Sequence, residues 1–193
     1  MDLSLTEDQA MIQEMARKFA QSELAPVAEK LDQHGDREQF LANLKQLAEL
    51  GFMGLNVDAD YGGAEAGSVV FSLAITEIAK ACASTAVTMS VTNMVAEVIQ
   101  AVASEEQKSR YLPKLCSGEY PAGAFCLTET TAGSDPSNMK TSAVLDGDEW
   151  VLNGAKQFIT SAEYAGVFVV WAVTDKNAPK GTGISCFLVE HGT

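Results

Sequence analysis

The chain has 193 residues, 47% hydrophobic and 20% charged, the balance of an ordinary folded soluble protein of one large domain or two small ones. Thirteen basic against 26 acidic residues leave a net charge of -13, which argues against nucleic acid or an anionic membrane as partner but not against an anionic ligand held locally. No apolar run reaches the length that spans a bilayer, and the first residues, MDLSLTEDQ, have neither the basic start of a signal peptide nor the Arg-rich character of a transit peptide.

The first half reads as helices. Leu5-Thr6-x-x-Gln9 is a capping box, with Thr6 at the N-cap and Gln9 at the third helical position. Ile12, Met15, Ala16 and Phe19 then recur at helical spacing on one face, and Pro26 is expected to end or kink the helix. A second helix runs over 37–50, with Phe40, Leu44, Leu47 and Ala48 on one face and Gly51 as its C-terminal cap. GFMGLNVDADYGGAEAG follows, too rich in glycine for regular structure. Residues 68–81 and 84–103 form two further helices, apolar over more than one stripe and so expected inside a bundle. Ser104-x-x-Gln107 is a second capping box, opening a short helix that Pro113 interrupts, and Gly118, Pro121 and Gly123 mark the end of the helical half.

From Ala122 the period shortens to that of strands. AGAFCL is the first and should end near Thr128. Residues 141–145 and 149–152 form a hairpin around Asp146-Gly147, an Asn153-Gly154 turn follows, and strands over 167–173 and 184–189 are joined by the turn at 180–183. Helices first and strands afterwards argue for two packed domains of unlike class, 1–121 and 122–193, rather than an alternating α/β sheet.

The four cysteines, Cys82, Cys116, Cys126 and Cys186, form no C-x-x-C pair and have only His34 and His191 for company, so no zinc or iron–sulfur site is expected. Each lies among apolar neighbours and is expected to pack as a small buried hydrophobe, in a reducing cytoplasm.

The densest chemistry lies where the first strand runs out. Phe125 to Asp135, FCLTETTAGSD, passes from apolar strand into a loop carrying the hydroxyls of Thr128, Thr130, Thr131 and Ser134, the Glu129 carboxylate, and Gly133, where backbone can approach a ligand closely. Consecutive N–H groups in such a turn can form a concave anion site. Alone, the stretch reads as readily as a strand followed by an ordinary polar turn.

A second stretch, WVLNGAKQFITSAEYAGVFVVWAV, changes that balance. Together the two resemble the flavin-binding middle domain of the acyl-CoA dehydrogenases. The family's T-E-P-x-A-G-S-D loop is matched by Thr128, Glu129, Ala132, Gly133, Ser134 and Asp135. Its L-N-G-x-K strand pair and W/F-I-T segment are matched by Leu152, Asn153, Gly154 and Lys156, then by Phe158, Ile159, Thr160 and Ala165. The family's loop proline is Thr130 here, which frees φ and adds an N–H, so a looser loop is expected. Tyr61-Gly62-Gly63 resembles a family turn, with Asp58 near the place of a family proline; it either shapes a wall near the ligand or simply connects helices. Ser84 to Asn93, STAVTMSVTN, resembles the helix that lines the acyl-chain pocket in short-chain members, although its spacing is that of any buried helix. The resemblance runs over nearly the whole chain.

It implies an α+β fold: an N-terminal all-α helical domain, then a β-barrel-like middle domain, incomplete here, with the family's C-terminal helical bundle absent. It implies an oxidoreductase of fatty acid metabolism that uses FAD to desaturate an acyl-CoA thioester, a base removing the α-proton while a hydride leaves the β-carbon for flavin N5. It places Phe125, Leu127 and Thr128 against the isoalloxazine ring, and Gly133 and Ser134 where FAD and the CoA arm approach each other, with Ser134 hydrogen-bonding substrate. Phe158, Ile159 and Thr160 would cover the other side of the ring, the Thr160 hydroxyl near N5; simple core packing is the plainer reading of Phe158 and Ile159, and Trp150 and Trp171 read as packing residues. The family's base is a glutamate of the absent part, so no catalytic base is expected in this chain. Glu129 and Asp135 are read instead as caps of backbone N–H groups. The implied electron acceptor is electron-transfer flavoprotein, and the implied state of the complete enzyme is a homo-oligomer. A chain of this length is expected to hold FAD weakly or not at all and to be inactive alone. Two alternatives stay open: a flavin oxidase or monooxygenase of the same superfamily, and a non-catalytic truncated interaction module.

Overall fold

A computed structural model describes residues 4–193. The chain divides into a helical unit, Met1–Ala122, and a β unit, Gly123–Thr193. The α+β order expected from the sequence is the order observed.

In the helical unit, α1 (Glu7–Phe19) opens with both hydrogen bonds of the capping box at Thr6 and Gln9. Pro26 does not end it. The helical run widens into a π segment, Ala20–Leu24, in which Ala25 N–H reaches the Ala20 carbonyl, and continues as α2 (Ala25–His34) with Pro26 in its first turn. The ladder bond that proline cannot make is thus lost where the register is already changing. α2 stops at Gly35 in the left-handed conformation, φ 62. α3 (Arg37–Glu49) ends at Gly51, φ 78, as its cap chemistry predicts. α4 (Gly67–Ala81), α5 (Ala83–Val102) and α6 (Glu105–Cys116) complete the unit. α6 runs through Pro113 because the proline falls within its last turn and Leu112, Leu115 and Cys116 are buried around it.

Leu24, Leu44, Leu47, Phe52, Met53 and Ile78 form the centre of the helical core, each at most 1% exposed. Glu77 of α4 ties α1 to it, accepting from Arg17 at 3.2 Å, Gln13 at 3.2 Å and Lys80 at 2.9 Å. The glycine-rich connection holds more structure than its composition suggests: 3-10 turns at Phe52–Gly54 and Ala59–Tyr61, with Phe52 to Leu55 and Val57 buried. Glycine there permits close packing rather than disorder. Because the α1 cap satisfies N–H groups that have no partner within the helix, Thr6→Ala is expected to lower the unit's stability by about 1 kcal/mol. Urea unfolding followed by helical circular dichroism checks this, and an unchanged midpoint would show that the box contributes nothing.

The β unit is one five-stranded sheet: β1 (Ala122–Cys126, entering from the unit boundary), β2 (Ser142–Asp146), β3 (Glu149–Asn153), β4 (Ala165–Val173) and β5 (Ile184–Glu190). The path runs β1-β4-β2-β3, with β5 also on β4. β4 and β5 pair antiparallel from Val167↔Glu190 to Val173↔Ile184, and β2 meets β4 in parallel at Ser142↔Val173. The β2–β3 hairpin pairs Asp146 with Glu149, so its central residues are Gly147, φ 61, and Asp148 rather than Asp146-Gly147. Trp171 packs edge-on against Phe125 with ring centroids 6.1 Å apart, and Trp150, half exposed, packs against Phe187 at 5.4 Å. Among the described residues no helix is long and apolar enough to cross a membrane, and no group of three or more His, Cys, Asp or Glu could hold a metal ion. All four cysteines are free; Cys82, Cys116 and Cys126 are buried, whereas Cys186 on β5 is only half-buried. Burial pushes the Cys116 and Cys126 thiols up to about 11, where they are inert.

Candidate functional site

β1 stops at Cys126, and the chain turns at once. Glu129 and Ala132 exchange backbone hydrogen bonds, 3.0 Å from Glu129 N–H and 3.2 Å from Ala132 N–H, which leaves Thr130 and Thr131 exposed at the tip. Those two bonds close the turn without the family's proline. Asp135 ends the loop, accepting from Ser137 N–H at 3.2 Å, from the Ser137 hydroxyl, from Asn138 Nδ2 at 2.7 Å and from Lys180 Nζ at 2.7 Å.

Glu129 is buried under the loop. Its carboxylate accepts from Lys140 N–H at 2.5 Å, Thr141 N–H at 3.0 Å and Lys156 Nζ at 2.8 Å. Burial alone would raise its pKa, but the Lys156 ammonium and the hydrogen bonds it receives outweigh that and hold it at about 2. Both loop carboxylates therefore act as the N–H caps expected of them. Lys156 also donates to the Leu127 carbonyl at 3.1 Å, and Gln157 N–H donates to the Thr128 carbonyl at 2.9 Å. The two motifs, 27 residues apart at the ion pair, are thus joined along their backbones. Gly154 is where the sequence reading of a turn fails. Its φ is not left-handed; a β-carbon there would lie 2.4 Å from Thr141 Oγ1 and 2.6 Å from Thr141 Cα, so glycine is needed for close approach.

Beyond Gln157 the chain makes an unusual excursion. Phe158 and Ser161 have φ of 58 and 63, a conformation that only Glu65 shares among the described non-glycine residues. Phe158 is 84% exposed. Ile159 packs back onto Ala124, Cys126 and Ala165, and Ala162, Tyr164 and Ala165 N–H groups bond to the Ile159 and Ser161 carbonyls. So Ile159 is core packing in part, while Phe158 is not: it stands out from the segment that Ile159 anchors. Leu127, Thr128 and Thr160 are half-buried, Gly133 and Ser134 are exposed, and no atom lies within 4 Å of where a Gly133 β-carbon would sit. Phe125 lies on the strand against Trp171. Leu127, Phe158 and Ile159 offer apolar surface, and Thr128 and Thr160 offer hydroxyls, a set that suits a flat heteroaromatic ring with polar edges. What the sequence reading missed is the role of Lys156 and Gly154; both stood inside the quoted motif, and their contacts are non-local.

Next to this loop a cleft of about 380 Å³ is lined by Ser137, Met139, Lys140, Lys176, Lys180 and Gly181 among others. Asp175 also lines it and Lys180 is paired with Asp135, so Lys140 and Lys176 are the lysines that leave positive charge at the cleft. In the helical unit, α5 commits Thr85, Met89, Thr92 and Asn93 to the interior, Asn93 bonding Leu55 N–H and the Phe52 carbonyl at 2.9 Å each. The helix is not buried all round: Val87 and Met94, one face of it, stay 49% and 37% exposed, and Ser84, Glu97 and Val102 are exposed elsewhere along it. Tyr61-Gly62-Gly63 is a tight crossing in which Gly62 has φ 85 and Gly63 lies against the Val57 backbone.

Comparison with known proteins agrees with this geometry. Residues 6–119 match the family described as acyl-CoA dehydrogenase, N-terminal domain, and residues 124–193 match acyl-CoA dehydrogenase, middle domain. The chain is 40% identical to the short-chain specific acyl-CoA dehydrogenase of Clostridium acetobutylicum, over 100% of this chain and 50% of that protein. It superposes with TM-score 0.92 and 40% identity on a chain of the structure described as "Electron transferring flavoprotein of Acidaminococcus fermentans: Towards a mechanism of flavin-based electron bifurcation", covering 100% of this chain and 50% of that one. It also superposes with TM-score 0.87 and 35% identity on an acyl-CoA dehydrogenase complexed with FAD from Bacillus anthracis, covering 97% of this chain and 31% of that one. The chain spans about half the length of the curated relatives it matches. With both of its units matched in order, the chain belongs to the acyl-CoA dehydrogenase family.

Proposed function

We propose that this chain supplies the flavin-holding wall of an FAD-dependent acyl-CoA dehydrogenase. The observation that carries the reading is Phe158, a large aromatic 84% exposed on a left-handed backbone, beside the loop that bears Thr128. A strained, exposed aromatic is unfavourable unless something covers it. Leu127, Phe158 and Ile159 bind the ring through apolar contact, and Thr128 and Thr160 orient its polar edge. FAD, when bound, supplies the hydride acceptor. Ser134 is assigned to the substrate and Gly133 to the close approach of substrate and FAD. Lys140 and Lys176 of the cleft offer charge to CoA phosphates, and the Val87–Met94 strip offers surface to a short acyl chain, the class named for the Clostridium relative. No residue of this chain is given the role of base. The Acidaminococcus match supports an electron-transferring flavoprotein as acceptor, and the free cysteines suit a reducing cytoplasm.

The test is Phe158→Ala with FAD titrated into the chain. Burying a phenylalanine is worth about 2 kcal/mol, so affinity should fall about 30-fold while the melting temperature is unchanged. Equal affinity would refute the assignment. Ser134→Ala separates the two ligands: acyl-CoA binding should weaken about fivefold, by about 1 kcal/mol for one hydrogen bond, with FAD binding intact. Equal losses for both would move Ser134 off the substrate.

A further inference from the structure

Glu129 and Lys156 form an ion pair at 2.8 Å with side chains only 4% and 9% exposed. Nothing in the flavin reading uses them. A buried pair adds little net stability over an apolar pair of similar size, because both ions lose their water. What it does add is geometry, since every remaining donor and acceptor must also find a partner. Here each does. Lys156 Nζ meets Glu129, the Leu127 carbonyl at 3.1 Å and Met139 Sδ at 3.9 Å, while Glu129 meets the Lys140 and Thr141 N–H groups. Lys156 and Gln157 directly precede Phe158, and Glu129 directly follows Thr128.

We infer that Glu129 and Lys156 are positioning residues, a clamp that fixes the separation and facing of the two flavin-binding segments, 127–134 and 158–160. The inference rests on the flavin role proposed for those segments. The clamp acts through the backbone. With the Leu127 carbonyl held by Lys156 and the Thr128 carbonyl by Gln157 N–H, the strand end cannot rotate, and Leu127 and Thr128 keep one presentation. Preorganisation of this kind raises affinity by removing the ordering cost of binding.

The experiment compares Lys156→Met, Lys156→Arg and Glu129→Gln with the unaltered 193-residue chain, reading amide hydrogen exchange and FAD affinity. In Lys156→Met and Glu129→Gln, amides of 127–134, 140–141 and 157–160 should exchange at least about tenfold faster, with the β4–β5 ladder unchanged. FAD should bind at least about tenfold more weakly. Lys156→Arg, which keeps the charge, should recover most of both, and with Glu129→Gln it decides the matter if Lys156→Met does not fold. Unchanged loop exchange, or an equal rise in the β4–β5 ladder, overturns the clamp. Faster loop exchange with unaltered FAD affinity overturns the positioning role and leaves the flavin reading standing; where the unaltered chain binds FAD too weakly to compare, the exchange result alone decides the clamp.

Discussion

Gly63→Ala is expected to cost the helical unit about 3 kcal/mol, the upper end of overpacking effects. A β-carbon at Gly63 would sit 1.9 Å from the Val57 carbonyl oxygen and 2.3 Å from its carbon. Both atoms are backbone, so no side-chain rotation relieves the clash. The backbone there is held on several sides: Gly63 N–H bonds the Asp58 carbonyl at 3.1 Å, Ala64 N–H the Gly54 carbonyl at 3.0 Å, Glu65 N–H the Val57 carbonyl at 3.1 Å and Ala66 N–H the Leu55 carbonyl at 2.8 Å. Moving the crossing apart breaks this set and disturbs Phe52 and Met53 in the core beside it. Urea unfolding read at the helical dichroism band measures the loss. The unaltered chain is the reference, since Gly63 and the helices read at that band lie in the same unit. A Gly63→Ala midpoint equal to that of the unaltered chain would mean the crossing opens easily and that close packing is not why glycine stands there.

The second large effect is in acid. Glu129 has a folded pKa of about 2 against an ordinary 4.5. A carboxylate whose folded pKa is depressed contributes stability that is fully present above its unfolded pKa and is lost as pH falls through the folded one. The window is therefore pH 4.5 down to about 2. At about 1.4 kcal/mol per pKa unit, the contribution is on the order of 3 kcal/mol at neutral pH. Glu129→Gln mimics the protonated carboxyl, so the difference between wild type and variant should be largest near pH 7 and shrink toward zero as pH approaches 2. Asp36, Glu77 and Asp135, whose pKa values are also lowered by their partners, are present in both proteins and cancel. Both tryptophans, Trp150 and Trp171, lie in the β unit, so their fluorescence follows that unit alone. A difference that stays constant from pH 7 to pH 2 would show that the ion pair is not what holds the loop.

Helix starts and stops were legible because they are local. Thr6 and Gln9, Ser104 and Gln107, and Gly51 act within one turn of the chain, and each cap stands where its spacing placed it. The helices run on past both prolines, Pro26 after a change of register and Pro113 without a break, for the complementary reason. Proline removes one N–H wherever it occurs, but whether a helix stops depends on what holds it beyond that residue. At Pro26 the π segment absorbs the missing bond, and at Pro113 the buried Leu112, Leu115 and Cys116 hold the final turn. The hairpin turn was displaced by a residue because register follows the pairing of Val144 with Val151 and Leu145 with Trp150, not the turn dipeptide.

By itself the sequence determined the order of helices and strands, the capped ends, and a pair of motifs whose residue types identify the family, since all of these depend on neighbours a few positions apart. Only the tertiary structure decided that Phe158 is a projecting aromatic while Ile159 beside it is core, because burial depends on which other strands arrive there. It also decided that Glu129 is locked under Lys156, and that Gly63 and Gly154 are glycines of contact. Those facts come from backbone segments brought together across the chain, and a linear pattern carries no record of which segments will meet.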